Sequence, residues 1–448
     1  MTFPTYTVYK DSGVEWLKRV PKHWEVKRLG HYFDERREKA SDTVFAPLSV
    51  TKSGVVPRLE TAAKTQDGDN RKKVRAGDFV INSRSDRKGS AGLSSTDGTV
   101  SLICIVLEPK GVEGSFVHHL LRSVPFQEEF YRYGKGIVAD LWSTGYSEMK
   151  NIVLTLPPSD EQKHIATFLD HETARIDALV EEQQRLIALL KEKRQAVISH
   201  AVTKGLDPEV PMKYSGVEWL GEVPEHWEVV RVKHAAKLES GHTPNKEKAE
   251  YWDGSIPWVS LNDSKKLAQY DYIDETNFTI SDLGIANSSA RLLPSRSVVF
   301  TRDATIGLAA ITTKEMAVSQ HLIAWLCHDE VVIPEYLLLV FYAMKEELDR
   351  YTFGATIKTI GMPDIRSLSM PLPSISEQKE VIGYVFAERD RLDDLVAEAQ
   401  KASRLLVERR SALISAAVTG KVDVRGWLPP EKLQAANDAQ KGHEVAAV

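Results

Sequence analysis

The sequence of 448 residues has little cysteine and no long apolar run. Its two cysteines, Cys104 and Cys327, are too few and too far apart for a disulfide framework or a zinc site, so we expect buried apolar thiols in a reducing compartment. The start of the chain has no basic segment followed by an apolar stretch, and no apolar run reaches the length of about 18 residues that crosses a membrane. These absences predict a cytoplasmic protein without a membrane segment.

An excess of one charge sign is also missing. The chain has 58 Lys and Arg against 63 Asp and Glu, a formal net charge of −5, and no block of like charge forms a tail. The net charge is +5 for residues 1–155, −1 for 156–205, −8 for 206–371 and −1 for 372–448. Contact with a polyanion would therefore depend on local basic patches. The acidic balance of residues 206–371 has no explanation in the sequence alone; a basic partner subunit is one interpretation.

The motifs of common catalytic sites are absent as well. Residues 156–160 contain Pro-Pro without the preceding Asn or Asp and the following aromatic residue of a methyltransfer motif, and Gly134 and Gly136 have no third glycine at dinucleotide-binding spacing. Residues 419–421 are only a fragment of a phosphate-binding loop. The 13 histidines form no His-x-x-x-His pair with a suitable carboxylate. The sequence therefore does not predict an enzyme or a metal site.

What the sequence does contain is an internal duplication. Residues 12–28 return as residues 215–231 with 13 of 17 positions identical, at an offset of 203. Residues 156–203 return at 372–419, at an offset of 216. Each half therefore has a shared opening segment, a long stretch that differs between the halves, and a shared closing segment. This organisation predicts one scaffold that presents two different surfaces, in a chain long enough for two to four domains of about 150 residues.

The closing segments predict two long helices. Apolar residues recur from Ile165 and from Val381 in the same phase, with a mean spacing of about 3.5 residues. About 41 residues at about 1.5 Å each would make rods of about 60 Å. The predicted caps and stops are Ser159 or Asp160 and Gly205 for the first helix, and Ser374 or Ser376 and Gly420 for the second. Matched length and phase favour an intramolecular antiparallel coiled coil, and the alternative is that each apolar stripe packs on its own domain.

The stretches between the shared blocks have the mixed pattern of an α+β fold. Short β-branched or aromatic runs predict strands at residues 78–82, 100–106, 297–301 and 307–312, and residues 334–348 predict a helix. The predicted organisation is two tandem recognition domains at 1–155 and 206–371, long helices within 156–205 and 372–425, and a flexible tail at 426–448.

Several strings, in this order, resemble the DNA-specificity subunit of type I restriction-modification systems. They are residues 12–24 and their copy, 241–245, 251–260, 299–307, 356–360, 372–378 and 417–421. In that family two variable target-recognition domains each precede a shared long helix. The first half lacks the Thr-Pro and Ile-Pro-Trp strings of the second, and has only looser parallels at residues 80–84 and 142–145.

The resemblance implies a noncatalytic reader of duplex DNA that docks two methyltransferase subunits and, through them, a restriction and translocation subunit. This chain would bind no cofactor, whereas its partners would use S-adenosylmethionine, ATP and magnesium. The target would be bipartite and asymmetric, and the partners would methylate or restrict it in phage defence. If the domain centres lie about 40 to 50 Å apart, about 12 to 15 base pairs separate them at about 3.4 Å per pair. A protein-binding scaffold without base readout is the alternative, but it leaves the strings of the second domain unexplained.

Basic loops of the first domain are the candidates for DNA contact. Bases are read by donors and acceptors in the major groove, whereas phosphate contacts position the protein. The densest basic segments supply Arg71, Lys72, Lys73 and Arg75, and Arg84, Arg87, Lys88 and Ser90. The other interpretation of such charge runs is a solvated surface.

The second domain offers fewer candidates: His242, Thr243, Asn245, Asn262, Lys265, Lys266, Arg302, Asp303 and Lys358. Arg302 is the first choice for base reading, because a planar guanidinium can donate to O6 and N7 of guanine together. Its alternative role is a salt bridge to Asp303, which itself either accepts from a cytosine amino group or holds Arg302. The tryptophans are expected to pack and not to stack on bases, namely Trp16, Trp24, Trp219, Trp227, Trp252 and Trp258.

Overall fold

The structure is a computed structural model that describes residues 3–60, 68–136, 142–353 and 358–429. Residues 430–448 of the predicted tail and residues 356–357 of the string at 356–360 lie outside these ranges. The chain forms two compact units, one from residues 1–184 with 401–448 and one from residues 185–400. Both contain helices and strands, so the α+β class is confirmed. The domain boundaries drawn from the sequence stay a prediction.

The first unit is built around a four-stranded antiparallel sheet with the strand order β10-β9-β12-β4. Its strands are β1 (Tyr9–Asp11), β2 (Arg19–Pro21), β3 (Glu25–Arg28), β4 (Phe33–Glu35), β5 (Lys39–Ala40), β6 (Leu48–Thr51), β7 (Gly54–Pro57), β8 (Arg71–Val74), β9 (Phe79–Asn82), β10 (Ala91–Leu93), β11 (Gly98–Val100), β12 (Cys104–Pro109) and β13 (Val153–Leu156). Its helices are α1 (Gly114–Arg122), α2 (Val124–Arg132), α3 (Tyr146–Met149) and the first part of α4 (Ser159–Lys204).

The second unit is built around a five-stranded sheet with the strand order β17-β24-β21-β22-β19. Its strands are β14 (Met212–Tyr214), β15 (Glu222–Pro224), β16 (Glu228–Arg231), β17 (Ala236–Ser240), β18 (Trp252–Val259), β19 (Tyr272–Ile273), β20 (Phe278–Ile280), β21 (Val298–Thr301), β22 (Ala309–Thr312), β23 (Ala317–Val318), β24 (Leu322–Cys327), β25 (Thr352–Phe353), β26 (Thr359–Ile360) and β27 (Ser369–Leu372). Its helices are α5 (Val232–Ala235), α6 (Ser264–Gln269), α7 (Asp282–Ala286), α8 (Pro334–Ala343), α9 (Lys345–Arg350), α10 (Met362–Ser367) and the first part of α11 (Ile375–Val418).

The two central sheets have the same core topology. The order β22-β21-β24-β17 in the second unit corresponds to β10-β9-β12-β4 in the first, and every neighbouring pair in both is antiparallel. The second unit adds β19, which runs parallel to β22. The duplication therefore extends through the stretches in which the two halves of the sequence differ.

Two elements differ from the sequence prediction. The strand predicted at 100–106 is interrupted by a turn, closed by a hydrogen bond from the Cys104 N–H to the Ser101 carbonyl at 3.0 Å. This turn leaves Leu102 and Ile103 44% and 41% exposed, and an apolar run does not indicate that its middle is in solvent. The helix predicted at 334–348 is interrupted at Met344, which separates α8 from α9.

Both long helices are present. Ser374 caps α11, because its hydroxyl accepts from the Glu377 N–H at 3.3 Å while the Glu377 carboxylate accepts from the Ser374 N–H at 3.1 Å. The matched position before α4 is Pro158, whose carbonyl accepts from the Gln162 N–H at 2.9 Å. The prediction of Ser159 or Asp160 as the cap of α4 was therefore wrong.

The helix stops are confirmed. Gly205 and Gly420 follow α4 and α11 with φ of +76° and +70°, the left-handed conformation of a terminating glycine.

A carboxylate, buried in the first unit and half-buried in the second, joins the opening segment of each unit to its long helix. In the first unit Glu161 accepts from the Tyr6 hydroxyl at 2.6 Å and from Trp24 Nε1 at 3.0 Å, and it pairs with His23 at 2.7 Å. In the second unit Glu377 pairs with His226 at 2.6 Å and accepts from Trp227 Nε1 at 3.1 Å. Trp24 and Trp227 are 0% and 2% exposed, so their expected packing role is confirmed.

Within each unit, a segment of α4 contacts a segment of α11 through an ion pair. Arg410 Nε lies 2.8 Å from an Asp177 carboxylate oxygen in the first unit. Arg194 Nη1 lies 2.8 Å from an Asp393 carboxylate oxygen in the second.

Candidate nucleic-acid interface

Three loops of the second unit meet at one edge of its central sheet. β17 and β21 both run antiparallel to β24, with Ser240 opposite Ile323 and Thr301 opposite Leu322. The ends of β17 and β21 therefore lie beside the start of β24. The chain enters or leaves this edge through His242, Thr243, Arg302, Asp303 and His321.

Main-chain hydrogen bonds fix the loop that carries Arg302. The Arg302 N–H donates to the His321 carbonyl at 3.0 Å, and the Arg302 carbonyl accepts from the Ile360 N–H at 3.0 Å. The Ala304 N–H donates to the Lys358 carbonyl at 2.8 Å. Ala304 has φ of 64°, the left-handed conformation that closes a tight turn. These three main-chain hydrogen bonds, which we call the loop frame, bring Arg302 and Lys358, two of the predicted site residues, to one place.

Asp303 is held inside this frame and has little contact with solvent. Its side chain is 14% exposed, and one carboxylate oxygen lies 2.7 Å from Nδ1 of His321. The other oxygen accepts from the Thr359 hydroxyl. Both carboxylate oxygens therefore have partners within the protein, which favours the predicted holding role of Asp303 over direct contact with a cytosine.

The guanidinium of Arg302 is only loosely paired with Asp303. Its Nε lies 3.7 Å from the nearer carboxylate oxygen, which is an ion-pair distance but too long for a hydrogen bond. Among the described residues this buried Nε has no hydrogen-bond partner, while the side chain as a whole is 24% exposed. The charge of Arg302 therefore lies beside Asp303 without a hydrogen bond from Nε, and part of the side chain remains accessible to solvent.

A pocket of about 550 Å³ opens beside this frame. Thr243, Asn262 and His321 line it together with Ser319 and Gln320. Its apolar lining comes from Trp252, Trp258, Leu261 and Phe278. Trp258 is 5% exposed and its ring packs edge-on against Trp252 at 5.1 Å, so both tryptophans serve packing first, as expected.

The other predicted residues of the second unit have different surroundings. His242 borders the pocket residue Thr243, and Nδ1 of His242 is buried without a hydrogen-bond partner among the described residues. Asn245 is exposed, and its carbonyl accepts from Trp252 Nε1 at 3.2 Å. Lys265 and Lys266 lie on α6, where Lys266 donates to a carbonyl at 3.0 Å. Neither lysine lines the pocket.

The first unit repeats the loop frame hydrogen bond for hydrogen bond. The Ser83 N–H donates to the Ile103 carbonyl at 3.2 Å, the Ser83 carbonyl accepts from the Thr144 N–H at 3.0 Å, and the Ser85 N–H donates to the Trp142 carbonyl at 2.8 Å. The backbone of Arg84 forms an antiparallel β-bridge with that of Ser143, as the backbone of Asp303 does with that of Thr359. The matched positions in the first and second units are Ser83 and Arg302, Arg84 and Asp303, Ile103 and His321, Trp142 and Lys358, and Ser143 and Thr359.

The repeated frame presents different side chains in the first unit. Arg84 is 40% exposed, and it lines a pocket of about 430 Å³ together with the predicted residue Lys72. Leu102 and Ile103 line the same pocket, and Trp142 nearby is 38% exposed. This pocket joins Arg84, Lys72 and Glu35 to exposed apolar groups, whereas an imidazole, that of His321, stands at the matched position of the second unit.

Comparison with known proteins indicates a family. Residues 224–397 match the family model of the type I restriction modification DNA specificity domain. The MjaVIII specificity subunit of Methanocaldococcus jannaschii is 23% identical over 93% of this chain and 97% of its own. The MjaIX specificity subunit of the same organism is 28% identical over an aligned part that covers 42% of each chain. These matches show a type I specificity domain in residues 224–397 and relatives that are type I specificity subunits.

A solved structure has the same fold as this chain. A chain from a structure described as the basis of complex assembly and conformational transition of the type I restriction-modification system has a TM-score of 0.68 at 16% identity. The match covers 89% of this chain and 98% of that one. Specificity subunits are the noncatalytic components of type I systems, so the expectation that this chain is not an enzyme is confirmed.

The basic segments of the first unit are partly used by its own fold. Arg71 is 7% exposed and donates from Nε to the Thr99 hydroxyl at 3.1 Å, and burial lowers its pKa. Lys72 donates to the Cys104 carbonyl at 2.8 Å, and Ser90 is 6% exposed. These three side chains have structural partners or little exposure.

Of the remaining basic residues, Arg75, Arg87 and Lys88 are more accessible, whereas the Lys73 side chain is only 15% exposed. Lys73 and Arg75 pair with Glu38 at 2.7 and 3.5 Å. Lys88 pairs with Glu128 at 2.6 Å, and Arg87 is 67% exposed. Such exposed pairs contribute little to stability, so these cations can exchange their carboxylates for phosphates.

Sequence reasoning did not select His321, Ile103, Leu102 or Trp142 as site residues. Trp142 belongs to a string that parallels the second half only loosely, and the other three lie in segments that were assigned to no motif or to a strand. A usable signal was present for His321, because it directly precedes the apolar strand β24, which lies beside the strand that leads into Arg302.

Of the helices within residues 3–60, 68–136, 142–353 and 358–429, none is long and apolar enough to cross a membrane. In the part of the chain that the structure describes, no group of three His, Cys, Asp or Glu side chains could hold a metal ion. The thiols of Cys104 and Cys327 are free, and burial raises the pKa of each to about 12.

Proposed function

We propose that this chain reads a bipartite, asymmetric target in duplex DNA, one half-site with each unit, and thereby directs methylation and restriction by partner subunits. The observation that carries the proposal is the loop frame, which has the same main-chain hydrogen bonds in both units and different side chains. Two unlike half-sites require such an arrangement, because each base pair offers its own pattern of donors, acceptors and methyl groups in the major groove. Similarity to type I specificity subunits supports the same role.

The chemistry of the two frames suits different bases. In the second unit Arg302 offers the donors that guanine accepts at O6 and N7, with Thr243 and Asn262 as further polar groups beside it. In the first unit Arg84 lies with the apolar side chains of Leu102 and Ile103, which suit contact with a thymine methyl group. The two half-sites should therefore differ in base composition.

Phosphate contacts are assigned to the accessible cations. Arg75, Arg87 and Lys88 of the first unit have exposed carboxylate partners that phosphates can replace. Lys265 and Lys358 are exposed in the second unit, in agreement with the same role. Arg71 is left out, because its guanidinium is buried against Thr99.

The spacing of the half-sites is assigned to antiparallel pairing of α4 with α11. Asp177 with Arg410, and Arg194 with Asp393, support this pairing. The residue numbers in both pairs have the same sum, as facing residues in a single antiparallel register must. At about 1.5 Å per residue, the 46 residues of α4 extend over about 69 Å.

The partners are two methyltransferase subunits and a restriction and translocation subunit, in the cytoplasm. The duplicated His-Trp-Glu arrangement gives each unit a similar base, which would allow two copies of one partner to dock in the same manner. S-adenosylmethionine, ATP and magnesium are assigned to these partners, and this chain is assigned no cofactor.

Genome-wide mapping of methylation tests the proposal in cells that carry this chain with its methyltransferase partner. The expected motif has two dissimilar halves around bases that are not read. Arg302→Ala should make a position of the second half degenerate, and Arg84→Ala a position of the first, because loss of a two-point contact to guanine reduces discrimination by about 5- to 150-fold. Arg291→Ala is the control, since Arg291 pairs with Glu239 outside the frame. An ungapped motif, or none with an active complex, would refute bipartite reading.

A further inference from the structure

We infer that His321 is a specificity-determining residue, whose Nε2 accepts a hydrogen bond from the exocyclic amino group of an adenine or a cytosine in the second half-site. This inference rests on the proposed DNA reading and names a contact within it. Asp303, in this assignment, positions the imidazole and does not touch the base.

His321 is fixed at the mouth of the pocket and remains accessible. Its carbonyl accepts from the Arg302 N–H at 3.0 Å, so a main-chain hydrogen bond joins the two residues directly. Its side chain is 42% exposed and lines the pocket with Thr243 and Asn262. A side chain with a held ring and an open face is suited to contact an incoming base edge.

The partners of Asp303 determine which ring nitrogen carries the proton. A carboxylate can only accept, and one oxygen of Asp303 lies 2.7 Å from Nδ1 of His321, so Nδ1 is the protonated nitrogen. The second oxygen is occupied by the Thr359 hydroxyl, which prevents the carboxylate from turning away. In the neutral ring Nε2 is then an acceptor, and in the major groove an acceptor matches N6 of adenine or N4 of cytosine.

His321 complements what the neighbouring Arg302 can do. Guanidinium nitrogens only donate, so Arg302 cannot recognise an amino group. Asp303 is 14% exposed and has both oxygens occupied. Of the three side chains at this corner of the frame, His321 is therefore the one with a free acceptor.

The matched position in the first unit supports a role in specificity. Ile103 makes the same main-chain contact, with its carbonyl 3.2 Å from the Ser83 nitrogen, but its side chain has no hydrogen-bonding group. The main-chain hydrogen bond of the frame is thus the same with isoleucine or histidine at this position. The imidazole and its carboxylate partner are not needed to build the frame.

The test uses the purified complex of the full chain with its methyltransferase subunits. The measurement is the methylation rate on duplexes in which each base pair of the second half-site is replaced in turn. His321→Leu should reduce discrimination at one adenine or cytosine by about tenfold or more, and leave the first half-site unchanged. His328→Leu is the matched control, because His328 is an exposed histidine of the same unit outside the frame, and its pattern should equal that of the wild type.

Asp303→Asn tests the orientation separately. Its amide oxygen can keep the bond to Thr359, which turns the amide nitrogen toward Nδ1 of His321 as a donor. Nδ1 must then accept, and Nε2 carries the proton. The preference at the position controlled by His321 should therefore shift toward guanine or thymine, a change that simple loosening of the loop would not produce.

The outcomes distinguish failure of the His321 inference from failure of the proposed function. Loss of one adenine or cytosine in His321→Leu supports the inference. An unchanged second half-site, or a guanine that depends on His321, would overturn it while DNA reading by the chain stands. A wild-type complex that is active but shows no base preference would overturn the proposed function itself. If His321→Leu does not assemble, the Asp303→Asn shift decides in the same way.

Discussion

Acid should destabilise the first unit through one half-buried histidine. The Leu93 N–H lies 3.3 Å from Nδ1 of His118, and Nη1 of Arg122 lies 2.6 Å from Nε2. Both partners can only donate, so the neutral ring accepts from one of them at a time, and an imidazolium, which has no lone pair, accepts from neither. Burial first, and then the charge of Arg122, lower the pKa of His118 to about 4.

The size of the effect follows from the difference between that pKa and the ordinary value of 6.5, which applies to the unfolded chain. Between these values the unfolded chain binds a proton that the folded chain does not, so the free energy of unfolding falls as the pH falls. The full loss is about 3 kcal/mol, reached below pH 4, and about 2 kcal/mol of it is lost at pH 5. α1, which carries His118, packs on β10 and β9, and β9 leads into Arg84 of the frame.

Hydrogen exchange of the amides of α1 and β9 measures this loss, after correction for the pH dependence of intrinsic exchange. From pH 7.5 to pH 5 the wild type should lose about 30-fold in protection, the equivalent of about 2 kcal/mol. His118→Gln should lose much less, because glutamine does not titrate. His31→Gln, at an exposed histidine of the same unit, should behave as the wild type. Equal losses in the wild type and His118→Gln would refute the assignment to His118.

Two further changes test the supports of the fold. Burial alone would raise the pKa of Glu377, but hydrogen bonds from His226, Trp227 and Ser374 lower it to about 2. The second unit should therefore lose stability as the pH falls from about 4.5 toward 2. Glu377→Gln should reduce the free energy of unfolding by about 1 kcal/mol at pH 7 and weaken this pH dependence, as measured by hydrogen exchange. Reversal of Arg194 to Glu should lower the melting temperature slightly, and Asp393→Arg in the same chain should restore it, because an exposed pair contributes about 0.5 kcal/mol; additive effects of the two changes would contradict pairing.

The parts of the fold that could be predicted from the sequence are those repeated in it. The phase of the apolar residues gives α4 and α11, and Gly205 and Gly420 mark their ends because a left-handed residue favours glycine. The cap of α4 could not be predicted from the second copy, since Pro158 and Ser374 both accept through their carbonyls but only Ser374 adds a side-chain hydroxyl. Local sequence shows which residues are able to cap, but not which one the backbone uses.

The candidate site, like the fold, could be predicted from the sequence only in part. Thr243, Arg302, Asp303 and Lys358 come from specific strings, and the structure places Arg302, Asp303 and Lys358 in one frame. The basic runs of the first half correctly predict positive charge, but they do not show which of these side chains form hydrogen bonds within the fold. Arg71 has a buried guanidinium because its strand pairs with β11, which carries Thr99, and strand pairing is a long-range property that a charge run does not contain.

The frame explains why two halves with unlike sequences can share a fold. All three hydrogen bonds that define it join main-chain groups, so they place no demand on the side chains at the matched positions. Serine and arginine occupy one of these positions, and isoleucine and histidine another, with the same backbone contact. A side-chain change at such a position alters what is offered to a ligand without removing a frame bond. Recognition can therefore diverge between the units while the sheet and the long helices are retained.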